Sequence, residues 1–371
     1  DTVIKVLIIT NIPSPYRVDY FSYLQTHYKK YKFDILYASC SESNREWDIC
    51  KEKMNNAHFL KSKTLCIRKK MDFKYIHIPI RVKKTLSALS PNIIIAMEYN
   101  PTAVQAMCWC KRNSVPYISW TDGTLHSERN INKIQRWTRH YIIKNANAFI
   151  ASSTKSQEAQ IAYGAEKSRC YISYLTVDID DYITNAGDKK KERILFVGRL
   201  VPLKGVELLI SALSKVTYDY EMIIVGTGPE KENLERQCRE LNIYDRVCFV
   251  GYKNREELKE LYQSSSIFIL PTKDDCFALV VLEAMCSGMP IICSQYADGI
   301  YDLIEDGKQG YIINPYDAGT FADKINELLK NRNLSKAMGE AAFKRIDKFR
   351  FSEVSKPFIK AIESVCYSSR I

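Results

Sequence analysis

Residues 267–293 read IFILPTKDDCFALVVLEAMCSGMPIIC, and their pattern decides the fold. The apolar run Ile267–Leu270 has the length of a strand and stops at Pro271. A polar loop, 272–275, leads into an apolar helical run that carries one acid, Glu283. Ser287 and Gly288 break that helix, and Met289-Pro290 opens a second apolar run. Strand, loop, helix, turn and strand in succession form the repeating unit of a parallel sheet covered by helices. Asp275 stands at the mouth of the loop, and Glu283 follows eight positions later inside the helix. Ligands of open α/β sheets bind at the carboxyl ends of strands, beside helix N-termini. A lone acid on an apolar helix at such a place reads as a ligand contact rather than a solvated charge.

The same alternation runs outward in both directions. In the first half, apolar runs at 3–10, 33–37, 93–97, 115–120, 148–151 and 171–174 read as strands, most of them buried on both faces. Helical segments lie at 18–28, 102–111, 131–144 and 155–163. The loop 11–17 has two prolines and no glycine, so it offers few free amides to a phosphate; Arg17 is either a charge at that loop or a cation on a solvated helix face. Residues 40–90 read as irregular, polar and basic. Strand 115–120 runs into 121–129, TDGTLHSER, where Glu128 and Arg129 either orient His126 or meet an acceptor. After the polar linker 181–192 the pattern restarts. Strand 193–197 precedes GRLVPLKG (198–205), and strand 221–225 precedes GTGP (226–229). Strand 246–250 precedes Gly251-Tyr252-Lys253, and helices at 317–330, 332–347 and 352–366 close the chain. The expectation is two Rossmann-like domains, 1–180 and 193–348, with a cleft between them.

With 371 residues the chain is long enough for two domains, and no apolar run approaches the ~20 residues of a membrane-spanning helix. The run 3–9 is too short for a signal peptide and reads as a strand. Twelve scattered cysteines read as reduced cytosolic thiols. Five histidines without HxH or HxxxH spacing give no expectation of a metal site. Residues 1–180 carry a net charge of +12 and the remainder −1. The densest basic cluster is Lys61, Lys63, Arg68, Lys69 and Lys70, followed by Arg81, Lys83 and Lys84. Leu65, Ile67, Met71, Phe73, Tyr75, Ile78 and Ile80 are interleaved with it. That mixture suits an anionic membrane surface or a lipid-phosphate acceptor. No helix-turn-helix, RNP or zinc-finger pattern supports nucleic acid.

The opening stretch resembles the signature of the retaining glycosyltransferases of family 4, which have the GT-B fold. Their E-G-F-G-L-x-x-L-E-A-M-A-x-G-x-P-V-I stands here as D-C-F-A-L-V-V-L-E-A-M-C-S-G-M-P-I-I, with Asp275 for the first Glu and Ala278 for the second Gly. Residues 196–205, FVGRLVPLKG, resemble the family's F-V-G-R-L-x-x-x-K-G, and 247–251 its V-x-F-x-G loop. The resemblance implies two doubly wound α/β domains facing across a cleft, with a C-terminal helix (349–371) crossing back to the first. It implies a metal-independent, retaining transfer of sugar from a UDP- or GDP-linked donor, with no cofactor. Arg199 and Lys204, beside Gly198, would hold the diphosphate, Glu283 the ribose hydroxyls, and Asp275 with the amides of Phe277, Ala278 and Leu279 the sugar. Gly226 would belong to the nucleotide-binding half, and the Tyr252 loop would meet the base. Family members have a sugar-contacting His where Asp122 stands here, so that contact comes from Asp122, His126 or both. The acceptor is expected to be a saccharide or a polyprenyl-diphosphate-linked one, and the enzyme cytoplasmic, peripheral at the inner face of a membrane. A GT-B-fold nucleotide-sugar 2-epimerase and a non-catalytic sugar-nucleotide binder are the other readings.

Overall fold

Continuous apolar strands must be covered on both faces, and the fold does this twice. The computed structural model describes residues 3–40, 50–68, 71, 73–183 and 192–368. The chain divides into two compact units: one of residues up to 178 joined by 351 onward, the other of 179–350 with the short piece around Met71. Lys69, Lys70 and most of the linker lie outside the described residues.

The first unit contains β1 (Ile4–Thr10), α1 (Pro15–His27), β2 (Tyr31–Tyr37), β3 (Ala57–Phe59), β4 (Ser62–Arg68), β5 (Phe73–Pro79) and α2 (Val82–Leu89). It continues with β6 (Ile93–Met97), α3 (Pro101–Asn113), β7 (Tyr117–Thr121), α4 (Lys133–Asn145), β8 (Ala148–Ala151), α5 (Thr154–Ala162) and β9 (Cys170–Ile172). Its main sheet is parallel, in the order β3-β2-β1-β6-β7-β8-β9. Alternate residues of β1 serve opposite faces. Val6 and Ile8 meet Phe21 and Leu24 of α1 in one core, while Leu7 and Ile9 meet Leu86, Met107 and Ile142 in the other. Residues 57–89, expected to be irregular, hold β3, the antiparallel β4–β5 hairpin and α2. The alternation in SKTLCIR and FKYIHIP was a period-two signal. Helix α1 starts at Pro15 rather than 18, because a proline at the first position forfeits no hydrogen bond.

The second unit contains α6 (Ile179–Tyr182), β10 (Arg193–Val197), α7 (Val206–Leu213), β11 (Glu221–Val225), α8 (Lys231–Glu240), β12 (Val247–Gly251), α9 (Arg255–Ser264) and β13 (Ile267–Leu270). Then come α10 (Leu279–Met285), β14 (Ile291–Ser294), α11 (Ile300–Leu303), β15 (Gly310–Ile313), α12 (Ala318–Lys330) and α13 (Arg332–Arg345). Its parallel sheet runs β12-β11-β10-β13-β14-β15, the doubly wound order. The last helix, α14 (Phe351–Ser368), belongs to the first unit, where Phe358, Ile362 and Val365 join the core of β1 and α1. No helix among the described residues is long and apolar enough to cross a membrane.

Candidate functional site

In the second unit the strand order reverses between β10 and β13, and open α/β sheets bind their ligands at such a switch point. The two loops leaving those strands touch. Gly205 has φ 66°, and a Cβ there would sit 2.3 Å from the Pro271 carbonyl oxygen. This approach brings Lys204 beside Asp275, with Nζ 2.6 Å from Oδ2. The other carboxylate oxygen, Oδ1, accepts the amides of Phe277 (3.1 Å) and Ala278 (2.8 Å). Burial would raise the Asp275 pKa, but Lys204 and these two amides outweigh it and hold the carboxyl below its usual value. Arg199 is half-buried in the same β10 loop.

Glu283 lies on α10 and accepts the Tyr262 hydroxyl at 2.7 Å. Burial pushes its carboxyl up to about 7, against the opposing pull of the Tyr262 hydroxyl, the Arg255 charge and the Tyr182 hydroxyl. A half-buried carboxylate with one oxygen held by tyrosine is fixed in direction, as an acceptor for a vicinal diol must be. Tyr252 follows Gly251 at the end of β12 and is 43% exposed.

Several sequence expectations change here. The Phe277 and Ala278 amides, assigned to sugar hydroxyls, are taken by Asp275. The Phe277 ring is buried edge-on against Phe349, 6.4 Å away, and Leu279 begins α10 half-buried. Gly226 and Gly198 are packing positions: a Cβ on Gly226 would lie 1.9 Å from the Gly198 oxygen. Their amides already donate to Gly251 and Val225, at 2.8 and 3.0 Å. Ala278 takes the left-handed conformation (φ 66°) that a glycine adopts without strain.

The first unit's order reverses between β1 and β6. Asn100 Nδ2 donates to Asn11 Oδ1 at 2.9 Å, tying the two loops there. Arg17 does not decorate a solvated helix face: it is 4% exposed, its guanidinium lies 4.2 Å from the Trp120 ring centroid, and it donates to Asp122 Oδ1 at 2.6 Å. The same Asp122 oxygen accepts the Ser152 hydroxyl. Glu98, which the sequence reading passed over, binds the start of the same loop. It accepts the Asp122 amide (2.8 Å) and the Thr121 hydroxyl (3.0 Å) from a backbone with φ 64°. Burial first, and the Asp122 charge second, push the Glu98 carboxyl up to about 7. The signal available in sequence was an acid directly after a buried strand.

Glu128 is held by Arg139 and Tyr163. It is buried and chelated by Arg139 through Nε (3.0 Å) and Nη2 (2.6 Å), and it accepts the Tyr163 hydroxyl at 2.8 Å. His126 is half-buried, and its carbonyl accepts Arg129 Nη1 at 2.5 Å. Among the described residues, no group of three or more His, Cys, Asp or Glu is placed to hold a metal.

Residues 180–345 match the family described as "Glycosyl transferases group 1". That match covers most of the second unit, and the fold is that of the GT-B enzymes. Sulfoquinovosyl transferase SQD2 of Arabidopsis thaliana is 33% identical over 166 residues, 44% of this chain and 31% of that protein. Alpha-D-kanosaminyltransferase of Streptomyces kanamyceticus is 27% identical over 248 residues, 62% of this chain and 63% of that protein. The matches therefore span less than two thirds of these relatives' own lengths. Among solved structures, Anabaena Alr3699/HepE in complex with UDP and glucose is similar with a TM-score of 0.78 at 18% identity, covering 97% of this chain and 100% of that one.

Proposed function

We propose that this protein is a retaining glycosyltransferase that needs no metal. It moves a sugar from a UDP- or GDP-linked donor to a saccharide or polyprenyl-diphosphate-linked acceptor, in the cytoplasm at the inner face of a membrane. The observation that carries this reading is the pairing of Lys204 with Asp275 at the second unit's switch point, with Arg199 in the same loop. The Lys204 ammonium already has a counter-charge in Asp275. A diphosphate is a stronger one, so the ammonium would turn to the leaving group while Asp275 takes a sugar hydroxyl. Two fixed cations stabilise the charge that builds on a departing diphosphate. Glu283 would hold the ribose hydroxyls and Tyr252 would meet the base. Asp122 and His126 are the first unit's candidates for the sugar.

The test is a thermal-shift screen against UDP-, GDP-, ADP- and TDP-sugars. One nucleotide is expected to stabilise the protein, and at 100-fold excess over Kd the gain is ~2.7 kcal/mol. The shift should vanish in Lys204→Ala and Glu283→Ala. Stabilisation by none of the four would sink the reading. Asp275→Asn retains an oxygen for the two loop amides and should bind nucleotide while losing turnover by roughly 10²-fold or more. Unchanged turnover in that variant would remove Asp275 from the sugar site.

A further inference from the structure

The β4–β5 hairpin joins neither main sheet among the described residues; its backbone ladder pairs the two strands with each other, and the Ser62 hydroxyl donates to the Ala38 carbonyl. Pairing puts alternate residues on opposite faces. On one face Thr64 meets His77, which is buried, with Oγ1 2.9 Å from Nδ1, and β5 packs on α3. The other face carries Lys63, Leu65, Ile67, Ile76 and Ile78, and Ile80 continues it just past the strand. Leu65, Ile67, Ile78 and Ile80 are each between 42% and 51% exposed. An aliphatic sheet face left in water points to a partner.

Charge decides which partner. Residues 61–84 hold nine Lys or Arg and one acid. Lys61, Lys63, Arg81, Lys83 and Lys84, in the hairpin or next to it in sequence, are all exposed. A second copy of this chain would bring like charges together, which opposes self-association. Aliphatic side chains give no stacking platform for the bases of a single strand. An anionic bilayer satisfies both halves of the surface, since its headgroups take the cations and the boundary below takes the aliphatic side chains. Helix α4, which also packs on α3, repeats the composition: Ile134, Trp137, Lys133, Arg136 and Lys144 are exposed, and the helix has no acid. Trp137 stacks on Tyr141 at 5.2 Å, and Trp and Tyr are the residue types enriched at membrane–water interfaces.

We infer that the outer face of the β4–β5 hairpin is a membrane-docking surface that inserts its aliphatic side chains into the interface of an anionic bilayer. This surface stands independently of the donor reading. The experiment is co-sedimentation of the full chain with vesicles of phosphatidylcholine containing about a third phosphatidylglycerol, beside pure phosphatidylcholine. Binding is expected to the anionic vesicles only, and to fall at least about tenfold in high salt. It should fall similarly in Leu65→Ser/Ile67→Ser/Ile78→Ser, and again in the separate charge variant Lys61→Glu/Lys63→Glu/Lys83→Glu. An Ile67→Trp reporter should shift its emission to the blue on anionic vesicles. All changes are at exposed positions, and thermal melts check that the variants fold. Equal binding to neutral vesicles, no binding, or an unshifted reporter overturns the inference. So does a dimer that the serine variant dissolves, which would assign the face to a second copy. Nucleotide-sugar stabilisation is measured on the same variants, so a loss of vesicle binding is distinguishable from a failed donor site.

Discussion

Asp275 shows how much one methylene changes. A glutamate would reach past its own loop, whereas the aspartate folds back, accepts two amides and holds Lys204. Its neighbour Ala278 bears a conformational cost of ~1–2 kcal/mol for a non-glycine residue in the left-handed region. Ala278→Gly is therefore expected to stabilise the second unit by roughly 0.5–1 kcal/mol after the entropy lost by the unfolded chain is subtracted, or 1–4 °C in Tm. A lower Tm would mean that the methyl's packing outweighs the strain. Glu98 gives a pH signature. Its folded pKa of about 7 lies above the ordinary 4.5, so the folded state binds the extra proton between these values. The contribution is complete below pH 4.5 and is lost as pH rises through 7. Glu98→Gln still accepts the Asp122 amide but cannot ionise. Denaturant titrations should show the variant gaining on the wild type by roughly 1–3 kcal/mol between those limits. A gap that stays constant with pH would show that Glu98 is not strained by charge.

Elements differ in how plainly their sequences announce them. Strands such as IIIAM and RILFV are continuous apolar runs, legible because both faces are buried. The β4–β5 hairpin was missed because lysines and aliphatics alternate there, and a basic composition hid the period. Helix α14 was legible as a helix, and its docking follows from large side chains on one face. The Phe358 ring meets Trp120 at 5.2 Å and Tyr20 at 5.8 Å, both edge to face. Phe358→Ala is expected to cost the first unit roughly 3–5 kcal/mol, read as a lower urea midpoint with unchanged slope. A cost below ~1 kcal/mol would mean that α14 adds little to that core.

At the scale of the molecule, the second unit is nearly one contiguous segment, while the first needs both ends of the chain. The fragment 179–350 should fold and bind nucleotide with a Kd within about tenfold of the full chain, measurable by calorimetry. The fragment 1–178 should not give a cooperative melt, because the core of β1 and α1 lacks Phe358 and Ile362. A cooperative melt of 1–178 would overturn that account.

By itself the sequence determined the alternation of strand and helix in two halves, the loops that follow each strand, and the resemblance carried by 267–293. These are local properties, set by hydrophobic period and by where glycine and proline interrupt it. The tertiary structure decided which charges meet. Arg17 turned inward because Trp120 and Asp122, at the end of β7, lie on the same face of the sheet within its reach, Glu128 went to Arg139, and Glu98 gripped the loop after β7. Lys204 met Asp275 because two loops 71 positions apart in sequence press together at a glycine. Such pairings depend on strand order and on the desolvation that makes an unpaired charge costly, and neither is written in any one segment.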